Sequence, residues 1–274
     1  MDDRSAATTD VIDASSVSTE ARIDGTDCMH ERYPRWPVDR AGSLEGMSVA
    51  WRKHLWIALG LVIVSLASIH LADESVARFV HAHRGWSTAA AWIAELGDSL
   101  YWFIAFGIGF AVFHLRRAHD AARWCFLAIA SLAASGVVSG ILKATLARWR
   151  PRAFVADGAF NGESGFGFPV FIIEHVRNSY PSGHATTAFT LAALATLKWP
   201  RLTALWVVLG AVVAGSRVVQ NSHWLGDMLA GSALGWVTPW IVMALWRARW
   251  PASAPLQRSG TTAYSMTSTT RPLL

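Results

Sequence analysis

The sequence predicts an all-α integral membrane protein: six transmembrane helices between two polar tails. Three observations carry this reading. Of 274 residues, 53% are hydrophobic and only 16% charged, with mean hydropathy +0.30, whereas a soluble domain carries roughly a quarter charged residues. The apolar residues fall in long runs, which favours spans over a large soluble core. Lys and Arg recur at the ends of those runs and form no single stripe. The formal charge of +5 and pI near 9.7 therefore read as membrane topology, and no nucleic-acid partner is expected.

The first fifty residues are rich in Ser, Thr, Asp and Ala without apolar periodicity, and are expected to be a disordered cytoplasmic tail (1–50). No apolar region precedes Leu55, so no signal peptide is expected there. Six apolar stretches follow, at about Leu55–Ala72, Leu100–Leu115, Trp124–Leu142, His184–Trp199, Leu202–Val219 and Met228–Trp246. Each approaches the ~20 residues that cross a hydrocarbon core, the second and fourth being short. In a bilayer they must be helices, because an isolated strand would leave its backbone groups unpaired. They define a membrane domain over 51–250, followed by a Ser/Thr-rich flexible cytoplasmic tail (251–274).

Orientation follows from the cations. Arg52 and Lys53, the 116–123 loop, Lys198 with Arg201, and Arg247 with Arg249 all fall on one side of a six-helix path. The positive-inside rule makes that side the cytoplasm, with both termini inside. Loops 73–99, 143–183 and 220–227 then face outward. In the first of them, Val76, Phe79, Val80, Trp86, Ala90, Trp92 and Ile93 recur at roughly helical spacing, which suits an interfacial helix. His81, His83 and Arg84 read as its solvated face. In the second, Gly158, Gly162, Gly165 and Gly167 precede apolar Phe168–Ile173, the pattern of a flexible lid resting on the membrane. Glu174, His175 and Arg177 read as a solvated turn. Cys28 and Cys125 offer neither zinc spacing nor a disulfide framework.

The chemistry-bearing residues form three clusters, all in the outer loops. Lys143 and Arg150-Pro151 stand at the end of the third span, where Pro151 discourages helix continuation; alone they could be ordinary interfacial cations. Pro181-Ser182-Gly183-His184 leads into the fourth span. A helix N-terminus there exposes free N–H groups to an anion, and Gly183 permits close approach. Ser182 alone could equally be a simple N-cap. Ser216-Arg217 is followed by His223 and Asp227, four apart and expected on one helical face. A carboxylate accepting from one imidazole nitrogen leaves the other free to attack. Cations, two histidines and a carboxylate together suit phosphate-ester chemistry.

The order and spacing of these clusters resemble the signature of the type 2 phosphatidic acid phosphatase superfamily, with motifs over 143–227 and the helix pattern over about 50–250. Tyr180 stands where an apolar aromatic is more usual. The resemblance implies a helical core shared with soluble acid phosphatases and vanadium haloperoxidases, and metal-independent hydrolysis without a cofactor. It implies that His223 attacks phosphorus, Asp227 orients it, and His184 protonates the leaving alkoxide. Lys143, Arg150, Ser182, Gly183 and Arg217 would hold the phosphoryl oxygens. The expected partner is a lipid phosphate or diphosphate at the outer, periplasmic face of a bacterial inner membrane. Phosphatidic acid, phosphatidylglycerophosphate, a polyprenyl diphosphate and lipid A all remain open, and the oligomeric state is not legible. Phosphoryl transfer to a second lipid, or a non-catalytic protein with a relic site, are the alternatives. The fourth stretch, about 15 residues or ~22 Å as a helix, suggests that the site lies at headgroup depth with lateral access for lipid.

Overall fold

A computed structural model describes residues 44–156, 159–160, 165–167 and 175–249. The chain separates into two units, Met1–Ala41 and Gly42–Leu274, and every described residue belongs to the second. Residues 1–43, the expected C-terminal tail 251–274, and the apolar part of the expected lid with Glu174 lie outside the described residues, whereas residues 44–50 of the expected disordered tail are helical.

The described chain is helical apart from one two-residue antiparallel ribbon, in which Val155 faces Phe160 and Ala156 faces Ala159. In order the helices are α1 (Leu44–Leu71), α2 (Asp73–Ala82), α3 (Ser87–Glu95), α4 (Ser99–Leu115), α5 (His119–Leu146), α6 (Gly183–Lys198), α7 (Thr203–Val219) and α8 (Leu225–Arg249). The expected interfacial helix in 73–99 is thus two short helices, α2 and α3, joined by a 3-10 turn at Arg84–Trp86.

Five segments are long and apolar enough to cross a membrane: Trp51–Leu71, Ser87–Leu115, His119–Phe154, Pro200–Val219 and Leu225–Arg249. The sequence suggested six. The remaining helix, α6, has 16 residues, about 24 Å by helical rise. It is the central element, packed against α5, α7 and α8, with residues 185–190 all buried. A helix enclosed by protein need not be strongly apolar, and this one is built of Ala and Thr. The outer helices instead expose large apolar side chains, among them Trp56 (65% exposed), Ile108 (61%), Val137 (62%) and Leu245 (65%). Such a surface is tolerable in lipid and not in water, so the chain is a multi-pass membrane protein.

Close packing of α6 on α8 depends on two glycines. A Cβ at Gly235 would collide with the Thr186 carbonyl and stand 2.8 Å from Thr190 N; one at Gly231 would meet the Ser182 carbonyl and Ala185 Cβ. The Thr186 and Thr190 hydroxyls turn back onto the carbonyls four residues earlier, at 2.9 and 2.8 Å. Their polar atoms are thereby satisfied inside the bundle.

Candidate active site

The three clusters meet where α5 ends and α6 and α8 begin. Helix α5 stops because Ala147 takes a left-handed conformation (φ 42°), and Arg148–Arg150 follow outside any regular element. Lys143, in the last turn of α5, donates to the Asn178 carbonyl at 2.8 Å. Arg150 reaches the same carbonyl at 3.4 Å and the Ser222 carbonyl at 3.4 Å. Two cations of the first cluster thus converge on the strand of chain that enters α6, one residue before Ser179.

Ser182 occupies the N-cap position of α6 (φ −70°, ψ 118°), yet its side chain makes no capping bond. Its hydroxyl is buried and has no hydrogen-bond partner among the described residues. A simple N-cap would have used it. Its backbone N–H donates to the Asp227 carbonyl at 2.9 Å, which ties the second cluster to the third. Gly183 stands over Lys143, whose Cε would be 3.9 Å from a Cβ placed there. His184 backs onto Gly97: a methyl at that glycine would stand 2.9 Å from His184 Cβ. Lys143, Gly183, His184 and Asp98 line one cavity of about 530 Å³ between α4, α5 and α6. A cavity of about 640 Å³ lined by Trp92, Glu95 and Trp102 contains none of the predicted site residues.

His223 does not lie on α8, as its spacing from Asp227 suggested. It sits in a tight turn before the helix, made possible by the left-handed Asn221 (φ 54°). The turn is closed by the Ser222 and His223 N–H groups donating to the Arg217 carbonyl at 3.0 and 3.3 Å. The imidazole is 2% exposed and its Nδ1 lies 2.9 Å from the Ser179 carbonyl. A carbonyl only accepts, so Nδ1 carries the proton and Nε2 keeps its lone pair. Asp227 Oδ2 is 3.6 Å from Nδ1, too long for a hydrogen bond. The aspartate therefore acts on His223 as a nearby charge, while the Ser179 carbonyl fixes the tautomer. Asp227 Oδ2 is itself held by the Ser179 hydroxyl and by Trp224 N–H at 3.0 Å. Arg217, on the last turn of α7, donates to Gln220 Oε1 at 3.0 Å, and Gln220 anchors to the Ala90 carbonyl of α3 at 2.8 Å.

Burial dominates the electrostatics of both imidazoles. It lowers His223 to about 3, assisted by Lys143 and Arg150 and opposed by Asp227. It lowers His184 to about 4, assisted chiefly by Arg217 and opposed by Asp98. Both rings are neutral at pH 7 in the ligand-free site.

Sequence reasoning missed Arg148, Asp73 and Ser179. Arg148 is completely buried and bridges Asp227 Oδ1 and Asp73 Oδ2, at 2.6 Å each. Its guanidinium also lies over the rings of Trp224 (5.2 Å) and Phe166 (5.0 Å). Ser179 supplies both the carbonyl and the hydroxyl described above. The one available signal was Arg148 standing between Lys143 and Arg150.

These features define a multi-pass helical membrane protein with a buried, cation-rich polar site at one end of its bundle. Residues 124–251 match the PAP2 superfamily, a stretch that includes all the predicted site residues. Similar proteins include the lipid A 1-phosphatase of Porphyromonas gingivalis (45% identical over 62 residues, 21% of this chain and 14% of that protein). That of Rhizobium johnstonii is 31% identical over 37% of this chain and 39% of its own length. A putative undecaprenyl-diphosphatase of Escherichia coli is 38% identical over 35% and 47%. The chain thus spans less than half the length of the curated relatives it matches. A Bacillus subtilis PAP2-type phosphatidylglycerolphosphate phosphatase structure aligns with TM-score 0.49 and 22% identity, over 72% of this chain and 96% of that one.

Proposed function

We propose that this protein is a membrane phosphatase that hydrolyses a lipid phosphate or diphosphate monoester through a phosphohistidine on His223. The observation that carries the reading is the Nδ1–H of His223 held by the Ser179 carbonyl at 2.9 Å. That contact leaves Nε2 unprotonated and available as a nucleophile. Nε2 attacks phosphorus and the bond from phosphorus to the lipid oxygen breaks. His184 takes the proton that the bound phosphate monoanion brings and passes it to that oxygen. His184 then takes a proton from the water that attacks the phosphohistidine, and inorganic phosphate leaves. Lys143, Arg150, Arg217, the Ser182 hydroxyl and the N–H groups opening α6 hold the phosphoryl oxygens, where fixed donors stabilise the charge that develops. The chemistry draws on these cations and needs no metal.

The substrate classes to test first are a lipid A 1-phosphate and undecaprenyl diphosphate, because similar proteins are named for both. The proposed location is a bacterial inner membrane, with the site on the periplasmic side and both termini cytoplasmic, since the Lys and Arg excess lies at the opposite helix ends.

The test is phosphate release by purified protein in detergent with a chelator present, across lipid phosphates and diphosphates, beside His223→Ala. Release that persists with chelator and falls at least ~10⁴-fold in the variant is expected. Equal release by both proteins would sink the reading. Phosphate appearing on an added acceptor lipid, and not in solution, would establish transfer in place of hydrolysis.

A further inference from the structure

We infer that Asp73 is a remote positioning residue for the nucleophile: its charge offsets Arg148, so that Asp227 presents a net negative field to His223. The inference rests on the phosphohistidine reading above. Its basis is a chain of buried ionic contacts. Asp227 Oδ1 meets Arg148 Nη1 at 2.6 Å, and Arg148 Nη2 meets Asp73 Oδ2 at 2.6 Å, with every side chain fully enclosed. The other oxygen of Asp73 accepts from the Ser68 hydroxyl at 2.7 Å and from Gly226 N–H at 2.8 Å. Ser65 of α1 donates to the Gly226 carbonyl at 2.7 Å. A side chain at Gly226 would press on Ile69, on Asp73 Oδ2 and on the Ser65 carbonyl, at 3.0–3.1 Å. The corner between α1 and α2 is therefore docked on the residue that precedes Asp227.

The charge count explains why a second carboxylate belongs here. Asp227 with Arg148 alone is a neutral pair, and a neutral pair exerts only a weak field on an imidazole beside it. Adding Asp73 makes the cluster −1. His223 is neutral before attack and positive once its Nε2 bonds to phosphorus with Nδ1 still protonated. The cluster and the ring then sum to zero in a dry site, where an uncompensated charge is costly. Stabilisation thus appears only as the reaction proceeds, which is the kind that raises kcat. Asp73 touches neither substrate nor His223 and acts through Arg148.

The test compares wild type, Asp73→Asn, Asp73→Glu and the double variant Asp73→Asn/Arg148→Gln. Readouts are kcat, KM, the rate of phosphoenzyme formation in rapid quench, and thermal unfolding in detergent. Asp73→Asn is expected to lower kcat and phosphoenzyme formation ~30-fold with KM within ~3-fold, the scale of one lost electrostatic contact. Asp73→Glu keeps the charge and should retain most of kcat. The double variant leaves Asp227 as the lone charge, again −1, and should recover activity relative to Asp73→Asn; two independent lesions would instead compound. A purely structural pin predicts the opposite order, with the double variant worst and loss tracking melting temperature, and that result overturns the inference. Should Asp73→Asn not fold, Asp73→Glu decides it: a folded Asp73→Glu protein with kcat ~30-fold below wild type would overturn the role of charge. Absence of any phosphoenzyme in wild type, with activity surviving in His223→Ala, overturns the phosphohistidine reading itself. That outcome is distinct, because it precedes any effect of Asp73.

Discussion

At the residue scale, the proposed reaction gives the two histidines different tasks although burial lowers both. His223 at about 3 stays unprotonated, as a nucleophile must. His184 at about 4 starts without the proton that a general acid must deliver. A phosphate monoanion can bring that proton itself, since its second ionisation lies near pH ~6. The expected profile of kcat/KM is therefore flat from about pH 4 to 6 and falling above, as substrate becomes dianionic. His184→Asn should lower kcat by roughly 10²–10⁴-fold, the usual worth of a general acid, and keep the alkaline fall, which belongs to the substrate. A rate in wild type that rises between pH 6 and 8 would contradict the assignment. His223 also makes a stability prediction. Unfolded, its ring binds a proton below about pH 6.5; folded, not until about 3. The unfolded state binds more protons throughout that window, so stability is lost as pH falls through it, by up to ~1.4 kcal/mol per unit from this ring. Melting temperature should drop on acidification from 6.5, and less steeply in His223→Asn.

At the element scale, what the sequence disclosed depended on what each helix faces. The helices facing lipid announced themselves, because their exposed side is as apolar as their core side. Helix α6 was legible only as the short fourth stretch, His184–Trp199, and its central place was not, because its Ala and Thr positions face protein. The site motifs were legible for a related reason: cations, histidines and a carboxylate beside apolar runs are expensive and so conspicuous. Arg148 and Asp73 were read past because their significance lies in partners 75 and 79 positions away. A lone Arg at a helix end looks like a snorkelling cation. The turn holding His223 was also hidden, since i, i+4 spacing suits a helix face as well as a turn entering one. Packing of α6 on α8 gives the prediction proper to this scale. Gly235→Ala places a methyl against the Thr186 carbonyl and should destabilise by about 2 kcal/mol, read as a lowered melting temperature. Gly136→Ala, where a Cβ meets nothing within 4 Å, should be neutral or slightly stabilising, since alanine is the better helix former.

At the scale of the whole molecule, the helices alternate so that Asp73, Asp98, Lys143, His184, Arg217 and Asp227 gather at one end of the bundle. The cations Arg52, Arg116, Lys198 and Arg247 mark the other ends of the same helices. Under the proposed function, a lipid phosphate must bring its headgroup to the polar end without withdrawing its tails from the bilayer. The cavity that holds Lys143 and His184 offers a way, because it also includes Gly136, Val137 and Gly140 of α5, all on the exposed side of that helix. A gap lined by two glycines on a lipid-facing helix admits a chain that any larger side chain would obstruct. Gly140→Leu has no neighbour to clash with, since nothing lies within 4 Å of a Cβ there, so the fold should tolerate it. The variant should raise KM for a long-chain lipid phosphate by ~10-fold, as expected when ground-state and transition-state binding are lost together. It should leave kcat unchanged, and leave kcat/KM for a short, water-soluble phosphate ester within about 2-fold, since that substrate needs no passage through the gap. Equal losses on both substrates would place the effect at the phosphate site and remove the case for lateral entry between α4 and α5.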